Sequence, residues 1–268
     1  MCEFSRLATG CQKLFLSGLL SCILKDLAQY QTNLFFSPRI SWTVKPDIQY
    51  LHVMELPIYK DNLRSSGDWR AGLEQVREEW QKTKLQPETL TRIRDLQLQF
   101  ISNEIAPENF LAAAEFVSQL AVEADALTVK HLFRINASLT AAESKFREVE
   151  FAPINAAHDP ALAVMLPRLL DNALGWFATE GFAEMNAVEQ AALVYLRVLD
   201  LQPFAAANLE TAMLAASFQI ERSGLPPLII DTNDARYSTV LETAFKMLTQ
   251  HLVDYFAESL HSNLVHLV

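Results

Sequence analysis

Apolar side chains return at three- and four-residue spacing along nearly the whole chain beyond residue 67, the spacing that lines one face of an α-helix. Trp69, Leu73, Val76 and Trp80 form one such stripe and predict a helix over about 67–84, stopped before Pro87. Leu90, Ile93, Leu96, Leu98, Phe100 and Ile101 continue as a second helix. Pro107 lacks an N–H and its ring clashes with a preceding turn, so it marks a break or a first turn. Phe110, Ala114, Val117 and Ala121 predict a third helix, and Thr128 is a plausible N-cap for one through Leu132, Ile135 and Leu139. Further helices are expected over about 160–178 with Pro167 in the first turn, 186–200, 209–222 and 235–257. Gly224 and Pro226-Pro227 close the third of these.

Two stretches break the pattern. Phe146-Arg-Glu-Val-Glu-Phe151 alternates apolar and polar residues and then meets Pro153 and Asn155, as a short strand or hairpin arm does. Pro38 to Pro57 has no clear period and reads as a connector. The expected class is mainly α: a helical bundle with one short β-hairpin.

Composition narrows the chemistry. Of 268 residues, 50% are hydrophobic, enough for a sizeable core. A formal net charge of −10 disfavours nucleic acid and anionic membrane as partners, since both require basic stripes. Gly67 and Gly72 have the outer spacing of a phosphate loop, but Leu73-Glu74 follows where Lys-Ser/Thr is required. No two glycines make a G-x-G. Cys2, Cys11 and Cys22 show no C-x-x-C spacing, which argues against a disulfide framework or a zinc site and fits the cytoplasm. No two of the six histidines stand at the i, i+4 spacing of a helical metal pair. The apolar run Leu14–Leu24 is too short to span a bilayer. It reads as part of an amphipathic helix over 12–29; export through a secretory-type run is the minor alternative.

From Leu201 to Met213 the chain reads Leu-Gln-Pro-Phe-Ala-Ala-Ala-Asn-Leu-Glu-Thr-Ala-Met. This resembles a degraded form of the Fic signature, H-x-F-x-D/E-G-N-G-R-x-x-R, with which Fic enzymes transfer AMP from ATP to a protein hydroxyl. Phe204 and Asn208 stand in place, and Pro203 is as many members have it. Further landmarks follow in family order. Asn136 replaces the His that usually ends an earlier helix. Phe146-Arg147 is similar to the Tyr-Arg that opens the flap, a hairpin that docks the target by strand pairing. Ala191-Ala192 precedes the motif at the usual distance, and Tyr195 stands where a His is common. Gly224–Ile230 and Tyr237 continue the pattern, so the likeness covers about residues 92–257.

What the likeness implies about fold, it denies about activity. Gln202 holds the position of the general base, and an amide accepts no proton near neutrality. Losing such a base costs about 10²–10⁴-fold in rate. Ala206 replaces the carboxylate that holds magnesium, a cation that demands oxygen ligands. Ala207 and Leu209 replace the two glycines that let phosphates approach backbone N–H groups. Glu210 and Met213 replace the two arginines. An inhibitory S/T-x-x-x-E-G segment of the family is similar to Ser102–Pro107, with Ala106 for its Glu and Pro107 for its Gly. Both ends of the family's inhibitory salt bridge, Ala106 and Met213, are therefore lost together. Glu104 is an inhibitory Glu only if shifted by two residues, and Met213 gives it nothing to pair with. Asn208 is expected to act as a helix N-cap, and Arg147 as a structural ion pair.

The expectation is a catalytically inactive Fic-type protein that acts by binding, with neither ATP nor magnesium as cofactor. Phe146, Arg147, Val149 and His158 would dock a protein partner by strand addition at the flap, and a homodimer stays open. The expected organisation is an N-terminal extension (1–60), a helical lead-in (61–91), a Fic-like domain (92–258) and a tail (259–268). Two alternatives remain: a divergent transferase with a displaced base such as Glu210, and an unrelated helical scaffold.

Overall fold

Prolines and polar caps cut the chain into ten α-helices among the residues described by this computed structural model, which are 67–84, 86–124, 126–152 and 158–265. Leu14–Leu24, the expected helix over 12–29, the connector Pro38–Pro57 and residues 153–157 of the flap loop lie outside them.

Helix α1 (Gly67–Thr83) buries Leu73, Val76 and Trp80, the stripe its periodicity predicts. Helix α2 (Pro87–Leu98) and α3 (Pro107–Glu123) each begin on a proline, whose missing N–H is no loss in a first turn. Helix α4 (Val129–Thr140) starts in a capping box: the His131 N–H donates to Thr128 Oγ1 and the Thr128 N–H to His131 Nδ1. Pro167 stands in the first turn of α5 (Leu166–Phe177), and α6 (Glu180–Ala183) is a single turn capped by Thr179. Asn186 and Glu189 box the start of α7 (Ala187–Leu201), which leads through a short loop into α8 (Asn208–Arg222).

Helix α8 is the centre of the fold. It packs on α7, α3 and α4, and every residue from Glu210 to Ile220 is buried. Small residues such as Ala212, Ala215, Ala216 and Ser217 let those neighbours close on it from several sides. Gly224, at φ 81°, ends the helix: its N–H reaches Glu221 O and the Leu225 N–H reaches Ile220 O. Arg77 and Gln81 of α1 finish the cap by donating to Ser223 O and Gly224 O.

Two expectations change. The helix expected over 235–257 is two helices, α9 (Tyr237–Phe245) and α10 (Gln250–Val265), parted where Met247 turns left-handed at φ 70°. No Gly or Pro marks that break; Thr249, a residue type favoured at N-caps, is the one signal before α10. The β-hairpin is not seen as a pair of strands among the described residues. Phe146 instead makes one isolated antiparallel bridge to Phe204. No helix of the described residues is long and apolar enough to cross a membrane.

Candidate functional site

The loop between α7 and α8 is bracketed by two left-handed residues, Gln202 (φ 41°) and Ala207 (φ 57°). Phe204 pins its middle: it is fully buried and meets Phe133 of α4 edge-on at 5.2 Å, while Phe133 meets Phe146 at 4.9 Å. Asn208 is the first helical residue rather than the cap. Its side chain clasps the main chain of Phe204, accepting from the N–H at 3.0 Å and donating to the carbonyl at 2.8 Å. Asn136 holds the far side of the loop. Its amide donates to Ala206 O at 2.9 Å and to Thr211 Oγ1 at 3.2 Å, and its carbonyl accepts from Ser144 at 2.9 Å.

Four consecutive carbonyls, Asp200 to Pro203, are bound from the flap side. His158 Nε2 lies 3.1 Å from both Asp200 O and its carboxylate. Arg147 donates from Nε to Gln202 O at 2.8 Å and from Nη2 to Leu201 O at 3.5 Å and to Ala161 O. Its Nη1 serves Val149 O at 2.8 Å and the Glu150 carboxylate at 3.2 Å, and its own main-chain N–H donates to Pro203 O at 2.9 Å. A helix C-terminus exposes its last carbonyls and favours cations; here the Arg147 guanidinium supplies both needs and the His158 imidazole a further hydrogen-bond partner. Arg147 is buried and its five donors all face protein acceptors, so it is a carbonyl clamp more than the ion pair its sequence position suggests. Asp200, an acid placed unfavourably at a helix end, is stabilised there by Arg197 at 2.5 Å and by His158.

Glu210 lies buried in the first turn of α8. Its carboxylate accepts the Ser102 N–H at 2.9 Å, which ties the segment before α3 to the motif helix. Ser102 itself is exposed and takes the Glu104 N–H on its hydroxyl, Ala106 is the uncapped N-cap of α3, and Pro107 opens that helix. Glu104 is exposed. Behind Glu210, burial holds the Tyr195 hydroxyl protonated far above its ordinary range, with Tyr237, 2.5 Å away, and Glu210 adding to the effect.

The structure thus gathers the expected residues into one place, in mostly structural roles. Pro203 and Met213 are buried, Leu209 is half-buried, and Ala206 is exposed without a polar side-chain atom. Gln202 Nε2 is buried with no acceptor. His158 is buried against Phe245 with Nδ1 unpartnered, whereas Val149 is 61% exposed. Among the described residues, no group of three His, Cys, Asp or Glu side chains could hold a metal ion. Phe133, Ser144 and Asp200 escape the sequence analysis; the misplaced charge of Asp200 is the only signal among them.

No family model matches the sequence, and no curated protein does. Solved structures do. A Fic-domain-containing signaling protein from Bacteroides thetaiotaomicron is 18% identical, covers 72% of this chain and 94% of its own, and superposes with a TM-score of 0.60. A fragment of Fic-1 from C. elegans is 17% identical, covers 99% of this chain and 78% of its own, and superposes with a TM-score of 0.55. At such identities the backbone is what is shared, and the chain has the fold of Fic-domain proteins.

Proposed function

We propose that this chain is a catalytically inactive Fic-fold protein that acts as a binding module for another protein. The observation that carries this reading is the buried Glu210. Its carboxylate puts negative charge at the helix N-terminus where a triphosphate would have to sit, and it is engaged by Ser102. Three further features support it. Ala206 offers magnesium no side-chain oxygen. The donors of Arg147 are directed at protein carbonyls. Asn208 is used by Phe204. Mg-ATP does not fit such residues. The partner surface of this reading is the flap side, around Val149, and a second copy of the chain is within its scope. The cysteine pattern supports the cytoplasm as its compartment.

Calorimetric titration with Mg-ATP tests the proposal. No saturable heat is expected at millimolar nucleotide; micromolar binding that vanishes on chelation of magnesium overturns it. One observation favours a second reading, a divergent transferase: the first turn of α8 carries no side-chain cap from Ala207, and a helix N-terminus favours an anion. Transfer of labelled nucleotide to lysate protein would establish that reading.

A further inference from the structure

Eight large apolar side chains are exposed among the described residues, and four of them stand in the flap region: Val149 (61%), Leu162 (48%), Val164 (82%) and Met165 (36%). The two chain segments that carry them are fastened together. Arg147 donates to both Val149 O and Ala161 O, and the Glu150 carboxylate accepts the Ala163 N–H at 3.0 and 3.1 Å. The backbone that carries these four side chains is therefore held by the same clamp that holds the motif loop, so little ordering is needed to bind there.

Those bonds also use main-chain groups that a docking strand needs. Val149 O, Ala161 O and the Arg147 and Ala163 N–H groups all have partners within the chain. Side chains are what this surface offers. Its rim is acidic. Among the described residues, Glu143, Glu148, Glu150 and Asp159 are exposed there against two exposed cations, Lys145, which pairs with Glu148 at 3.1 Å, and Arg168, four residues after Val164. Exposed apolar side chains with an excess of acidic neighbours select a partner with apolar anchors flanked by positive charge.

We infer that the surface around Val149 and Val164 docks an apolar, lysine- or arginine-flanked segment of a partner protein, by side-chain packing and not by strand addition. The inference rests on the proposed binding role and names its partner's chemistry. Anionic lipid, the other ligand of apolar patches, is repelled by the rim.

Fluorescence anisotropy on the full chain tests it, with a labelled amphipathic peptide of leucine and lysine and a twin with glutamate for lysine. The lysine peptide is expected to bind and to weaken about tenfold or more in the double variant Val149→Asp/Val164→Asp and on raising salt. The glutamate twin is expected not to bind. Val122→Asp, on a residue 88% exposed on α3, should leave binding unchanged. All three substituted residues are exposed, so the variants should melt as the parent does. Failure of the lysine peptide to bind, equal binding of both peptides, undiminished binding by the double variant, or preferential binding of anionic vesicles would overturn the inference. A Mg-ATP titration on the same protein separates the two proposals: nucleotide binding beside intact peptide binding removes the inactive reading alone.

Discussion

Replacing Arg147 by methionine keeps most of the aliphatic stem and deletes every guanidinium donor. Three of the lost bonds are well made, to Gln202 O at 2.8 Å, to Val149 O at 2.8 Å and to Ala161 O; those to Glu150 at 3.2 Å and Leu201 O at 3.5 Å are weaker. A bond from a charged donor contributes roughly 1.5–3 kcal/mol, and less where water can replace the donor. Val149 is exposed, so its carbonyl rehydrates easily, while Gln202 and Ala161 are half-buried. Two bonds near the lower figure plus a fraction of the third give a loss of about 3–4 kcal/mol. That is a large part of the ~5–15 kcal/mol that holds a typical domain together. Urea unfolding followed by circular dichroism measures it. Arg147→Lys should recover less than half, because an ammonium cannot serve acceptors spread on both sides of a planar fork. A loss below about 1 kcal/mol for Arg147→Met would refute the clamp and mean that the motif loop holds itself.

Other substitutions probe separate links. Ala207→Gly removes the Cβ penalty of a left-handed φ of 57°; after the greater chain entropy of glycine, a net gain of up to about 1 kcal/mol is expected, seen as a higher melting temperature. Gly72→Ala places a Cβ against the His261 ring, so it should destabilise alone, yet stabilise in a His261→Ala background, where the helix propensity of alanine is left. Burial raises the Glu221 carboxyl above its ordinary range despite the Arg94 guanidinium beside it. The protonated form is then the one favoured by folding, so this group's contribution is complete below the unfolded pKa and is lost as pH rises through the folded one. The stability difference between wild type and Glu221→Gln should therefore fall across and above the ordinary carboxylate range; a flat difference counts against it.

Helix identity was the most legible layer of this chain. The stripe Leu73–Val76–Trp80, the stop before Pro87 and the first-turn places of Pro107 and Pro167 are local facts, and local spacing and ring chemistry specify them. The break at Met247 is barely legible, because a left-handed turn on a non-glycine residue is imposed by packing and Thr249 alone hints at it. At the site, Phe204 and Glu210 could be placed by register alone. Their roles could not, since they depend on contacts distant in sequence: Ser102 with Glu210, Asn136 with Ala206, Arg147 with Gln202. Asn208 shows the difference most clearly. Its residue type suggests a cap, but the left-handed Ala207 takes the N-cap position and leaves the Asn208 side chain to reach back to Phe204.

Amide NMR of the isotope-labelled chain during titration with Mg-ATP reads the central claim at the atoms concerned. If the carboxylate of Glu210 and the loss of metal and phosphate ligands have closed this site to nucleotide, the N–H signals of Ala205 to Glu210 stay unmoved at millimolar Mg-ATP. Saturable, magnesium-dependent shifts confined to those amides would show phosphates seated on α8 and contradict the account.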